Sequence, residues 1–118
     1  MLEGRSGMEL CCKTPENVQK LIADDEVSEN LSFLFKAFSE PIRIKILLAM
    51  LYNEICVQDL AILLDVSQPR VSNQLKLLKL HKLVKFRKEK NNIFYSLDDG
   101  HIKDILSIGL SHMEHTEG

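Results

Sequence analysis

A three-residue break, Asp65-Val66-Ser67, separates two runs of helical periodicity and constrains the fold more than any other stretch of the chain. The segment Glu54–Leu64 predicts a short helix from about Val57. After the break, Gln68 to about Leu80 predicts a second helix, with Val71, Gln74, Leu75 and Leu78 on one side. Gln68, Ser72, Asn73, Lys76 and Lys79 lie on the other side, and Arg70 lies at the flank. Each residue of the break has a use. Asp tolerates the left-handed conformation, Val66 can plug a core, and Ser67 can cap the helix that follows. Two helices joined so tightly form a helix-turn-helix. Amides, a hydroxyl and cations facing outward are the groups that read base edges and hold phosphates in a major groove. An ordinary solvated helix face has a similar composition, so the surrounding charge has to decide.

The net charge of the 118 residues is −2, which argues against a nucleic-acid partner until its distribution is considered. Between Val66 and Ser96, eight basic residues (Arg70, Lys76, Lys79, Lys82, Lys85, Arg87, Lys88, Lys90) face one acid, Glu89, giving +7, while the rest of the chain carries −9. A concentrated basic segment on an acidic chain is the footprint of a DNA-binding element. Within it, Leu83–Glu89 alternates, with Val84 and Phe86 expected inward and Lys85 and Arg87 outward. Lys90-Asn91-Asn92 predicts a hairpin turn and Ile93–Leu97 the returning strand. A basic hairpin directly after a helix-turn-helix is a wing, and Lys88 and Lys90 at its tip would meet the DNA backbone.

The remainder reads as one small domain. Residues 1–7 resemble an expression remnant, with Met8 a candidate native start, and 1–13 are expected to form a flexible arm ahead of a single domain over 14–118. Apolar content of 45% marks a globular chain. No signal peptide and no apolar run near the roughly 18 residues of a membrane span are visible, so a soluble cytoplasmic protein with no membrane partner is expected. Thr14-Pro15-Glu16 reads as a helix start, with Thr14 as cap and a short helix to about Ala23 that Asp24-Asp25-Glu26 breaks. Val27–Phe38 repeats Leu31, Leu34, Phe35 and Phe38 at helical spacing. Ser39-Glu40-Pro41 then closes that helix and caps a nearly all-apolar one over Pro41–Leu51, which should run through the core.

Three of the four histidines fall in the last helix, predicted from Asp98-Asp99 through His115. Wound at about 100° per residue, His101, His112 and His115 share one stripe with Ile105 and Ile108. Ile102, Leu106, Gly109 and Met113 form an adjoining apolar flank, so the histidines are expected on a packing seam. His101 and His112 are eleven residues apart, roughly 16.5 Å along a helix, too far for one ion with ligand bonds of about 2 Å. His112 and His115 can share an ion, and Asp99 and His101 can share one at the other end. An antiparallel second copy would join these ends into two equivalent sites of three imidazoles and one carboxylate. The same pattern also fits a frayed C-terminal helix whose histidines merely share a face.

With these motifs assembled, the chain resembles the ArsR/SmtB family of metal-responsive winged-helix repressors over roughly Glu29 to His115. The matching stretches are Phe38-Ser39-Glu40-Pro41-Ile42-Arg43, Cys56-Val57-Gln58-Asp59-Leu60-Ala61, Val66 to Lys76, Tyr95-Ser96-Leu97-Asp98 and the Asp-x-His…His-x-x-His pattern of the zinc- and cobalt-sensing branch. The resemblance implies a mainly α fold with a β-hairpin wing, a winged helix-turn-helix dimerising through its N- and C-terminal helices. It implies a homodimer that binds operator DNA when metal-free and leaves it when Zn(II), or Co(II) as a substitute, occupies Asp99 and His101 of one chain with His112 and His115 of the other, derepressing metal efflux or resistance genes. A closed tetrahedral set leaves no open position for a reacting water, so the protein is expected not to be an enzyme. The resemblance implies DNA contacts by Gln68, Arg70, Ser72, Asn73, Lys76, Arg87, Lys88 and Lys90. A second family site uses a Cys-x-Cys pair; here Cys56 is present, Gln58 replaces the second cysteine, and Asp59 with Cys11 or Cys12 is left to complete it. An alternative on the same scaffold is therefore a thiol, persulfide or soft-metal sensor using Cys11, Cys12 and Cys56.

Overall fold

Proline and the acidic residues set where the first helices begin and end. The computed structural model describes residues 10–117, and the side chains of residues 10–114; the reading of residues 1–7 as a remnant lies outside them. Two compact units, Met1–Lys36 and Ala37–Gly118, are distinguished.

In the first unit, α1 (Glu16–Ala23) and α2 (Asp25–Lys36) follow one another with a single residue between them. The cap of α1 is Pro15, not Thr14. Proline holds φ at −57° with an extended ψ of 146°, and its carbonyl accepts from the N–H groups of Val18 and Gln19. Asp24 ends α1 in an extended conformation, and its Oδ1 accepts from Glu26 N–H at 3.0 Å, the bond that opens α2. The acidic triplet is thus one joint residue followed by a first turn, where carboxylates oppose the helix dipole. Neither helix buries a residue fully.

The second unit begins with α3 (Pro41–Ala49), in which Pro41 takes the first helical position after an extended Glu40. Ile46 and Leu47 are completely buried, as expected of a core helix. Strand β1 (Ile55–Cys56) is not foreseen in the sequence, because two residues carry no alternation; it exists through pairing with a strand forty residues later. Helices α4 (Val57–Leu64) and α5 (Gln68–Leu80), strands β2 (Val84–Glu89) and β3 (Asn92–Leu97), and α6 (Gly100–Glu117) complete the unit. The antiparallel sheet has the order β1-β3-β2. Leu60 of α4, Val71, Leu75 and Leu78 of α5, Leu83, Val84, and Ile102 and Leu106 of α6 fill the core with α3.

The wing departs from its predicted alternation in two places. Val84 is buried, but Phe86 is 42% exposed, its ring lying 5.9 Å from that of Tyr95 and under the ammonium of Lys79 at 4.0 Å. The ribbon has left the core by that point, so a neighbouring cation covers the ring instead. Asn92 belongs to β3 opposite Glu89, which shortens the turn to Lys90-Asn91, and Lys90 takes the left-handed conformation at φ 56°.

Candidate nucleic-acid interface and metal half-sites

Asp65 adopts φ 56° and ψ 49°, the left-handed conformation its short polar side chain tolerates. The chain reverses there, with Asp65 N–H on the Ile62 carbonyl and Val66 N–H on that of Ala61. Val66 is half-buried, and Ser67 Oγ accepts from Arg70 N–H at 3.3 Å to start α5. Burial of Val71, Leu75 and Leu78 orients the helix, leaving Gln68, Arg70, Asn73 and Lys76 exposed and Ser72 half-exposed. Gln74 lies at the margin, with its Oε1 buried and without a hydrogen-bond partner among the described residues. Lys88 and Lys90 are exposed at the wing tip.

Arg87, expected to face DNA with them, is exposed and is also engaged within the chain. Its guanidinium forms ion pairs with Glu54 and Glu89 and lies over the ring of Phe94 at 4.9 Å. The hydrogen bonds from Arg87 hold the Glu54 carboxyl below its ordinary value, and those carboxylates in turn keep the Arg87 proton bound more firmly than in a free guanidinium. Glu54 is a residue that sequence reasoning missed. It lies 33 positions from Arg87, and no local pattern marks such a pair.

At the start of α6, Asp99 has two functions. Its Oδ1 accepts from the backbone N–H groups of His101 at 2.9 Å and Ile102 at 3.3 Å, capping the helix, while Oδ2 lies 3.5 Å from His101 Nδ1. Partial desolvation pushes the Asp99 pKa up, but the Ile102 N–H, the His101 ring and the His101 N–H outweigh it and leave the carboxyl below its ordinary value. The structure therefore brings Asp99 and His101 together. His112 lies on the same helix, exposed, and the side chain of His115 lies outside the described residues. The histidine stripe is not the seam of the single chain. Ile102 and Leu106 make the buried contact, whereas His101 and His112 are exposed and Ile108 is 68% exposed. The wheel placed the two apolar groups side by side, and the core took the flank. Among the described residues, no group of three or more His, Cys, Asp or Glu side chains converges as a metal site.

The second candidate set is dispersed. Cys56, half-buried, precedes α4 as its cap residue without capping it through its side chain, and Asp59 is exposed in the first turn. Cys11 and Cys12 are exposed and belong to the other unit; all three are free thiols.

Residues 40–85, which span α3, the helix-turn-helix and the start of the wing, match the model of the bacterial regulatory protein family arsR. A transcriptional repressor SmtB homolog from Synechocystis is 31% identical over 85% of this chain and 76% of its own length. A cadmium resistance transcriptional regulatory protein CadC homolog from Staphylococcus aureus is 39% identical over 67% of this chain and 66% of its own. Among solved structures, reduced HlyU from Vibrio cholerae superposes with a TM-score of 0.67 at 32% identity, covering 71% of this chain and 88% of that one. The helix-turn-helix with its hairpin defines a winged-helix DNA-binding regulator, not an enzyme. The chain belongs to the arsR family, in the ArsR/SmtB group of regulators.

Proposed function

We propose that this protein is a metal-sensing transcriptional repressor whose metal-free homodimer binds double-stranded operator DNA and releases it on binding Zn(II), with Co(II) as a substitute. The observation that carries this reading is the pairing of Asp99 Oδ2 with His101 at the exposed start of α6. His112 follows on the same helix face about 16.5 Å away. Asp99 and His101 of one chain, with His112 and His115 of its partner, supply three imidazole nitrogens and one carboxylate, a donor set that fits Zn(II). These four side chains would hold the ion, which when bound would tie one α6 helix to the other. Capping by Asp99 Oδ1 leaves Oδ2 as its ligand atom and fixes where His101 stands. Exposed Ile108 and Leu110 on α6 provide apolar surface for that helix pairing, and Leu21, Ile22 and Leu31 do so on the N-terminal helices. At the DNA, Gln68, Arg70, Ser72, Asn73 and Lys76 of α5 face the major groove, while Lys88 and Lys90 hold the backbone. The setting is cytoplasmic; no helix among the described residues is long and apolar enough to cross a membrane.

Metal and DNA each favour a different relative orientation of the two wings and recognition helices, so each weakens the other by the same factor. A coupling of about 3 kcal/mol corresponds to a hundredfold or more. The resemblance to an SmtB repressor homolog supports the repressor reading, and the resemblance to a cadmium-resistance regulator supports metal efflux or resistance genes as the ones controlled. The test is a zinc titration of the protein on DNA from upstream of its own gene, with release and dimer mass followed together. His101→Ala and His112→Ala should leave DNA binding intact and abolish zinc-driven release. Zinc still releasing DNA from the doubly substituted protein overturns the site.

The similarity to a cadmium-resistance regulator and the three free thiols favour one second reading, a soft-metal or thiol sensor through Cys11, Cys12, Cys56 and Asp59. Serine at all three cysteines separates the two: the α6 site predicts unchanged zinc release.

A further inference from the structure

The loop between α3 and β1, residues 50–54, is held at two points. Tyr52 carries the ammonium of Lys103 from α6, 4.7 Å above its ring. Two residues on, Glu54 takes Arg87 of β2. Arg87 Nε donates to the two carboxylate oxygens at 2.9 and 3.1 Å, and Nη2 donates to Oε1. The remaining Nη1 donates to Glu89 Oε2 at 2.8 Å. All three guanidinium nitrogens are thereby engaged, and the planar group rests over Phe94.

The register shows what this connects. Arg87 pairs with Phe94, and Phe94 pairs with Cys56, so the three lie in one row across β2, β3 and β1. Glu54 is two residues before Cys56, and the Arg87 side chain crosses its neighbour strand to reach it. Apart from that link, β2 is an edge strand whose ladder hydrogen bonds among the described residues run to β3, and a two-stranded ribbon twists readily. A single exposed ion pair contributes little, but a forked guanidinium shared by two carboxylates and seated on an aromatic ring holds a defined geometry.

We propose that Glu54 and Arg87 form a clamp that sets the angle at which the wing is presented to DNA, so that Arg87 is a positioning residue and not a phosphate contact. This rests on the reading of the wing as a DNA-contacting element. The clamp makes a prediction opposite in sign to simple electrostatics. Removing the Glu54 charge beside a basic wing should tighten binding if charge alone matters, and should weaken it if the clamp matters.

The experiment measures binding of the metal-free full chain to duplex DNA from upstream of its own gene, by fluorescence anisotropy over a salt series. Glu54→Gln and Arg87→Gln should each weaken binding on the order of fivefold, and the double variant should be no weaker than Arg87→Gln. Glu54→Gln should also lower the salt slope, although it removes an acid. Arg87→Lys keeps the charge but loses the fork, so it should behave like Arg87→Gln; a phosphate contact would tolerate it. Glu54→Gln binding as tightly as the parent or tighter, additive losses in the double variant, or full activity of Arg87→Lys each overturns the clamp. Lys90→Ala identifies the level of failure. If it weakens binding while Glu54→Gln does not, the clamp alone has failed. If it binds as the parent does, the wing reading has failed and the clamp's role at DNA falls with it.

Discussion

Helices α5 and α6 are both amphipathic, yet they finish their packing differently. Over 13 residues, α5 buries Val71, Leu75 and Leu78 to 1% exposure or less within its own unit. Among the described side chains of α6, Ile102 and Leu106 are buried, and every residue from Ser107 to Glu114 is exposed. That burial anchors α5 along its length, although Leu77 and Leu80 stay exposed, and its polar face is turned away from the core. The apolar residues of α6 continue for two turns beyond the core, and Ile108 and Leu110 remain in water, where burial of each against a partner would be worth about 1.5–3 kcal/mol if complete. One helix is anchored by the core along its length; the other is anchored at its first turns and, under the proposed function, finishes its packing against a second copy.

The sharpest way to break this comparison is to remove a methyl-rich side chain from each helix. Leu78→Ala should destabilise the unit by about 2–5 kcal/mol in denaturant unfolding, because it leaves a cavity in a closed core. Ile108→Ala, measured where the chain is monomeric, should change unfolding by less than about 0.5 kcal/mol and instead raise the concentration at which dimers form. A large unfolding loss from Ile108→Ala would mean that α6 is packed within its own chain, and the contrast would fail.

A smaller effect tests what the outward face of α5 does. Arg70→Ala and Lys76→Ala should each weaken binding with or without zinc and each reduce the salt slope by about 1, as loss of a phosphate contact requires. The same two changes should leave unfolding nearly unaltered, since both side chains are exposed. Normal affinity in both variants would remove α5 from the interface.

What could be read in advance follows from how local each feature is. Asp65 and Ser67 act on residues within five positions of themselves, and the helix-turn-helix they define is present as the sequence predicts. The start of α6 at Asp98-Asp99 is local in the same way, since Asp99 Oδ1 accepts from N–H groups two and three positions on. Strand β1 and the Glu54–Arg87 pair were not, because each depends on a partner at least 33 positions away and carries no pattern of its own. Phe86 kept its alternation in sequence but not its burial, since alternation marks which side of a ribbon a residue takes and not whether a core reaches that far. The α6 stripe was ambiguous for a related reason. Ile105 and Ile108 with the histidines, and Ile102 and Leu106 beside them, are equally apolar, and only packing decides which row the chain covers itself.

The smallest effect concerns the start of each helix, where α5 is capped by Ser67 and α6 by Asp99. At Ser67 the side chain caps with its single oxygen; at Asp99 the second carboxylate oxygen faces His101. Asp99→Asn should therefore separate two functions that Asp99→Ala removes together. Asparagine caps about as well as aspartate, so metal-free helicity and unfolding should be preserved within a few tenths of a kcal/mol, whereas alanine should cost about 1 kcal/mol. Both variants should lose zinc-driven release, because a neutral amide is a poor substitute for a carboxylate ligand. Ser67→Ala provides the control on α5, with a similar loss of stability and no change in zinc affinity. Retention of full zinc release by Asp99→Asn, with its cap intact, would leave Asp99 with the same single function as Ser67.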